Sequence, residues 1–213
     1  MADMAAIASI VSAGGTLVLA VATFGAVRSA NTAARTAERS LMAGLRPLLV
    51  QGRPGDPPSK AVWQDRHAAR IEGGRAHVEL TDDVIYLAMS IRNAGAGIAL
   101  LNCYDIRPEL AMVDIAFRDL DMFKRLTIDL YVPPGDSGYW EGAVRDANDP
   151  LRADLEKTIL ERNPFSIDLL YGDQEGGQRT VSRFTIVPFD GEHGEIWYAN
   201  AVRHWNIDRP DPR

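Results

Sequence analysis

Seven side chains of metal-ligating type are spread along the chain: Asp65, His67, His77, Glu192, His193, Glu195 and His204. Imidazole and carboxylate together can hold a divalent metal. Sequence-legible metal sites usually pair their ligands at a short fixed spacing, and these residues show no such pairing. They read as scattered surface or core groups, and no metal is predicted. Cys103 is the only cysteine, which excludes a thiolate zinc cluster and an intramolecular disulfide. It reads as a buried structural thiol, with a nucleophile beside a histidine as the alternative. Asn93–Gly97 contains Gly-x-Gly but lacks a third glycine and opens no helix, so dinucleotide binding is not expected. Phosphate-binding loops, Gly-x-Ser-x-Gly and His-Glu-x-x-His are absent from the sequence. The sequence therefore names no catalytic residue and no cofactor.

Two segments stand out by residue type. One holds Trp63, Asp65, Arg66 and His67; the other holds Arg203, His204, Trp205, Asp208 and Arg209. Trp and Arg are enriched at recognition surfaces. The same residues suit packing, with Trp filling a gap and Arg–Asp pairs closing it. The nine residues are a candidate interaction surface, with structural packing as the competing reading.

These residues need a scaffold. The chain has 213 residues and a net charge of −6, enough for one sizeable domain and a short extra segment. The charge is uneven. Residues 28–53 carry Arg28, Arg35, Arg39, Arg46 and Arg53 against Glu38, whereas the rest of the chain from 54 onward holds 18 basic and 27 acidic residues. So acidic a domain is a poor match for nucleic acid, whose binding depends on neutralising phosphates.

Met4–Val27 is a run of 24 residues without charge or proline. A membrane-spanning helix needs about 20. The reading is a transmembrane helix over 1–27. A cleaved signal peptide, which would lack its usual positive start, and a buried or oligomer-core helix are the alternatives. The basic flank follows the run, so the N-terminus is expected outside and the domain in the cytoplasm, at the cell (inner) membrane.

Residues 28–46 read as a helical neck continuing from the first helix. Arg28, Arg35, Arg39 and Arg46 recur so that all four fall within roughly 20° of one line at about 100° per residue. Three readings stay open for this stripe: a solvated helix edge, contact with anionic lipid headgroups, and pairing of two necks. The last uses the small ridge Ala22, Ala26, Ala30 and Ala34, through which a weak homo-oligomer could form.

Residues 47–213 read as one β domain. Val84–Met89 is nearly all apolar, as in a central strand. Leu126–Val132 and Phe165–Tyr171 alternate, the signal of half-buried strands. Asp173–Gln178 is a turn into a return strand at 179–187. Asp149-Pro150 opens a helix that Asn163-Pro164 ends. Residues 109–123 are ambiguous between strand and helix. The fold class is mainly β: a long N-terminal transmembrane and juxtamembrane helix, then an antiparallel immunoglobulin-like β-sandwich with one inserted helix.

Two local patterns resemble those of bacterial immunoglobulin-like domains: Ser90–Ala99, a strand running into a glycine turn, and Tyr131–Asp136, a proline–glycine corner. Over most of its length the chain also resembles a group of uncharacterised single-span proteins of high-GC bacteria. That likeness rests on Ala43-Gly44-Leu45-Arg46-Pro47, Trp63–His67, Leu169–Asp173 with Glu175–Arg179, and Arg203–Pro210. It implies a membrane-anchored architecture and no particular activity.

The leading functional reading is a membrane-tethered cytoplasmic interaction or scaffold module with a protein partner. An enzyme or ligand sensor with an unrecognised site, and an exported sandwich facing outward, are the alternatives.

Overall fold

A computed structural model describes residues 2–111, 116–191 and 194–208. The chain divides into two units, Met1–Gly44 and Leu45–Arg213. The first is one unbroken helix, α1 (Ala2–Gly44), so the neck does continue the first helix. Leu19, Val21, Phe24 and Val27 are all exposed on it. Among the described residues no helix is long and apolar enough to cross a membrane.

The helix ends earlier than its charge pattern suggests. Arg46 precedes Pro47, whose ring drives the preceding residue out of helical geometry, and Gly44 is the last helical residue. Arg46 therefore leaves the stripe of Arg28, Arg35 and Arg39. It belongs to the domain, where its guanidinium donates to Thr180 Oγ1 at 2.9 Å.

In the domain, β1 (Leu49–Gln51), β2 (Ser59–Val62), β3 (Ala68–Ile71), β4 (Arg75–Leu80), β5 (Ile85–Asn93), β6 (Ala99–Arg107), β7 (Lys124–Val132) and β8 (Ser137–Val144) come first. Helix α2 (Pro150–Leu160) follows, then β9 (Phe165–Gly172), β10 (Thr180–Gly191) and β11 (Gly194–Asn206). Pairing is antiparallel throughout. Where the sequence predicts a two-sheet sandwich, the hydrogen bonds join nine strands into one sheet: eight follow the path β1-β5-β4-β11-β10-β9-β6-β7, and β8 pairs with β5 off this path. Strands β2 and β3 form a separate hairpin. The pairing is shortest among the strands of this path at β4–β11, where only Ala76 and Arg75 pair with Trp197 and Tyr198.

The largest apolar core draws on both ends of this strand order. It takes Ile85, Leu87, Met89 and Ile91 from β5, Trp140 and Val144 from β8, Phe165, Ile167, Leu169 and Tyr171 from β9, Phe184 and Ile186 from β10, and Leu155 from α2. The helix forms as its sequence predicts: the Asp149 carboxylate accepts from Leu151 N at 3.0 Å and Pro150 takes the first turn. Of the ambiguous stretch 109–123, Leu120–Met122 is a short 3-10 turn and residues 116–119 are irregular. Residues 112–115 lie outside the described part.

The glycine turn after β5 holds the start of the domain. A Cβ on Gly97 would lie 1.7 Å from the Leu45 carbonyl oxygen, and one on Gly95 would lie 2.3 Å from that of Arg46. Only glycine allows that approach. Asn93, fully buried, spends its whole carboxamide here. Its Oδ1 accepts from Leu48 N and Gly95 N, and its Nδ2 donates to Gly97 O and Val132 O. Asn93→Ala strands these buried backbone groups, at about 1–3 kcal/mol for each one left unsatisfied. We expect Asn93→Ala to lower stability by roughly 3 kcal/mol or more in chemical denaturation. A loss within experimental error would remove Asn93 from this role.

Candidate functional site

Strand β5 is buried on both faces. Its outward residues Tyr86 and Ala88 lie under the β2–β3 hairpin, in an apolar cluster with Ala61, Trp63 and Ile71. The connection between β2 and β3 is the segment Trp63–His67. Trp63 N donates to His67 O and Arg66 N to Trp63 O, both at 2.9 Å. Arg66 takes the left-handed conformation (φ 67°) that closes so tight a turn. Trp63 is 4% exposed, and its indole N–H donates to Gly142 O on β8 at 3.0 Å. The turn is thereby pinned over β4, β5 and β8.

Asp65 fixes the tip. One carboxylate oxygen accepts from His67 N at 3.0 Å; the other accepts from the Tyr86 hydroxyl at 2.7 Å and from Arg145 at 3.0 Å. The Tyr86 hydroxyl is the main reason its pKa falls from 3.8 to about 2; partial burial opposes this, and the His67 amide and Arg145 add to it. The same bond raises the pKa of Tyr86.

Beside it, two imidazoles converge on one carboxylate. His77 and Glu79 stand two residues apart on β4, hence on the same face. His67 reaches them from the turn. Glu79 Oε2 lies 2.9 Å from His67 Nε2 and 3.0 Å from His77 Nε2. The His67 ring stacks on Tyr86 at 4.1 Å between centroids, 18° from parallel, and Trp63 flanks both histidines. Burial alone would raise the Glu79 pKa, but the bonds from the two histidines outweigh it and bring it below the ordinary value. The three side chains keep 30%, 25% and 37% of their surface exposed for His67, His77 and Glu79, so solvent reaches them.

His77 also lines a recess of about 190 Å³ with Arg70, Arg75 and Trp197. Another, of about 80 Å³, lies among Trp63, Tyr104, Arg125, Glu141 and Arg145. Both are smaller than the roughly 300–1,000 Å³ usual for organic ligands.

The described part of the second segment packs in a cluster separate from that of Trp63. Trp205, 8% exposed, packs with Phe123, Leu170 and Val181 on the outer face of β9 and β10. Arg183 and Arg203 lie over its ring at 4.8 and 5.3 Å. Beneath them Arg183 makes a bidentate pair with Asp168, both contacts at 2.7 Å and both side chains fully buried. Asp105, Arg107 and Arg118 extend this network. His204 turns to the opposite face, its Nδ1 2.6 Å from Ser182 Oγ. Asp208 holds Arg179 at 2.7 Å, which lowers the Asp208 pKa. Arg209, with Glu192 and His193, lies outside the described residues.

Cys103 is half-buried and burial raises its pKa, the opposite of an activated thiol. Sequence reasoning missed Glu79, Tyr86 and Arg145. The available signal was His77-x-Glu79 inside a strand, which places both side chains on one face.

No family model and no curated protein matches this chain. A solved structure, the crystal structure of a protein from Archaeoglobus fulgidus, is similar over 62% of this chain and 94% of its own, at 14% identity and a TM-score of 0.26. That likeness is too loose to carry an argument about fold or activity.

Tyr86→Phe should raise the Asp65 pKa from about 2 toward 3.8, read by carboxyl-carbon NMR across a pH titration. The stabilisation tied to a depressed carboxylate is complete above 3.8 and is lost as pH falls through about 2. The parent should therefore lose melting temperature more steeply than the variant in that window. An unchanged Asp65 titration would contradict the assignment.

Proposed function

We propose that this chain is a single-span, membrane-tethered interaction or scaffold module, with its N-terminus outside and its β domain on the cytoplasmic face of the cell membrane. The observation that carries this is the composition of α1. Leu19, Val21, Phe24 and Val27 are exposed, and at about 100° per residue they spread over roughly 200° of the helix circumference. An apolar face that broad is normally buried against a core or a bilayer. The uncharged run reaches back to Met4 in the sequence, and Arg28, Arg35 and Arg39 follow it. Positive flanks stay cytoplasmic. Weak self-association through Ala22, Ala26, Ala30 and Ala34 belongs to the same reading, as does the immunoglobulin-like character of the domain.

The exported alternative requires the basic flank to cross the membrane, against the positive-inside rule. Recognition of a protein partner accords with the small size of the two recesses.

Alkaline carbonate washing should leave the full chain with the membranes. A C-terminal alkaline phosphatase fusion should be inactive in intact cells. Release by carbonate would refute the tether, and an active phosphatase would reverse the topology.

A further inference from the structure

Beyond the tethered-module reading, we propose that His67, His77 and Glu79 bind one divalent transition-metal ion of the zinc class through the two Nε2 atoms and a carboxylate oxygen. These donor atoms lie within 4.8 Å of one another. Around a tetrahedral zinc, with bonds of about 2.0–2.1 Å, neighbouring donors stand about 3.3 Å apart. The Glu79 contacts at 2.9 and 3.0 Å need to open by a few tenths of an ångström, and the two Nε2 atoms, within 4.8 Å of each other, have to close toward the same spacing.

The donors are already aimed. His77 and Glu79 are fixed by strand alternation. His67 is held by its stacking on Tyr86 and by the Asp65 cap on its own amide. A site assembled before the ion arrives loses little conformational freedom on binding it. The donor set also chooses the ion. Two imidazoles and one carboxylate suit zinc, cobalt, nickel or copper, whereas calcium and magnesium prefer a shell of oxygens. Three protein donors leave at least one position for water or for a donor group of a partner.

The competing account is a purely structural trio, in which both imidazoles keep an Nε2 proton and share Glu79 as acceptor. Metal binding separates the two. The untagged full-length chain, stripped with a chelator, is titrated with cobalt(II). A visible d–d band saturating at one equivalent is expected, and zinc(II) should abolish it by displacement. Zinc should also raise the melting temperature of the domain with concentration. His77→Asn and Glu79→Gln keep the approximate side-chain shape and should each weaken binding at least about tenfold, with the parent's circular dichroism spectrum retained. The double variant His67→Asn/His77→Asn should give no band. If the parent gives no saturable band, or if the double variant binds as the parent does, the site is wrong. Because the parent titration decides by itself, a misfolded variant does not protect the proposal. Loss of membrane association leaves it untouched.

Discussion

The central constraint in the domain is that strand β5 is buried on both faces. Ile85, Leu87, Met89 and Ile91 face the main core, and Tyr86 and Ala88 face the other way. A strand apolar on both sides cannot leave either face to water. The β2–β3 hairpin supplies the missing cover, and Trp63 is its main contact. Burying large apolar side chains such as Trp63 and Ile71 contributes on the order of 2–3 kcal/mol each. Packing thus explains why a tryptophan stands in this turn, and the polar groups at its rim follow from where the turn must lie.

Strand β9 meets the same constraint by other means. All of its residues are buried; of its outward residues, Leu170 is covered by Trp205 and Phe123 and Asp168 by its pair with Arg183. A buried ion pair gains little net stability, because desolvation offsets the attraction, but leaving one partner alone is costly. With both side chains enclosed, this cluster is a structural closure. The cluster at the hairpin differs in one respect that matters: its donors are partly exposed, so an ion or a partner group can reach them.

Much of the scaffold was legible in the sequence. The apolar run at Val84–Met89 does mark a central strand, the turn at Asp173–Gln178 does join β9 to β10, and Asp149 does cap the inserted helix. The alternation in β9 understated its burial, because Ser166 and Asp168 look solvent-facing until Arg183 is placed opposite by the hairpin register. The angular position of Arg46 fits the helix, but Pro47 decides the backbone there, and α1 ends at Gly44. The convergence at Glu79 was not legible. His67 lies on the β2–β3 turn and His77 on β4, and they meet only because the hairpin folds back over the sheet. No spacing rule along the chain encodes that fold-back.

X-ray absorption at the zinc edge of the zinc-loaded full-length chain reads the donors at His67, His77 and Glu79 themselves. The spectrum should carry the multiple-scattering signature of two imidazoles with oxygen donors completing the shell, reduced to one imidazole in His77→Asn. A shell of oxygen alone, or two imidazoles that persist in that variant, would contradict this metal site.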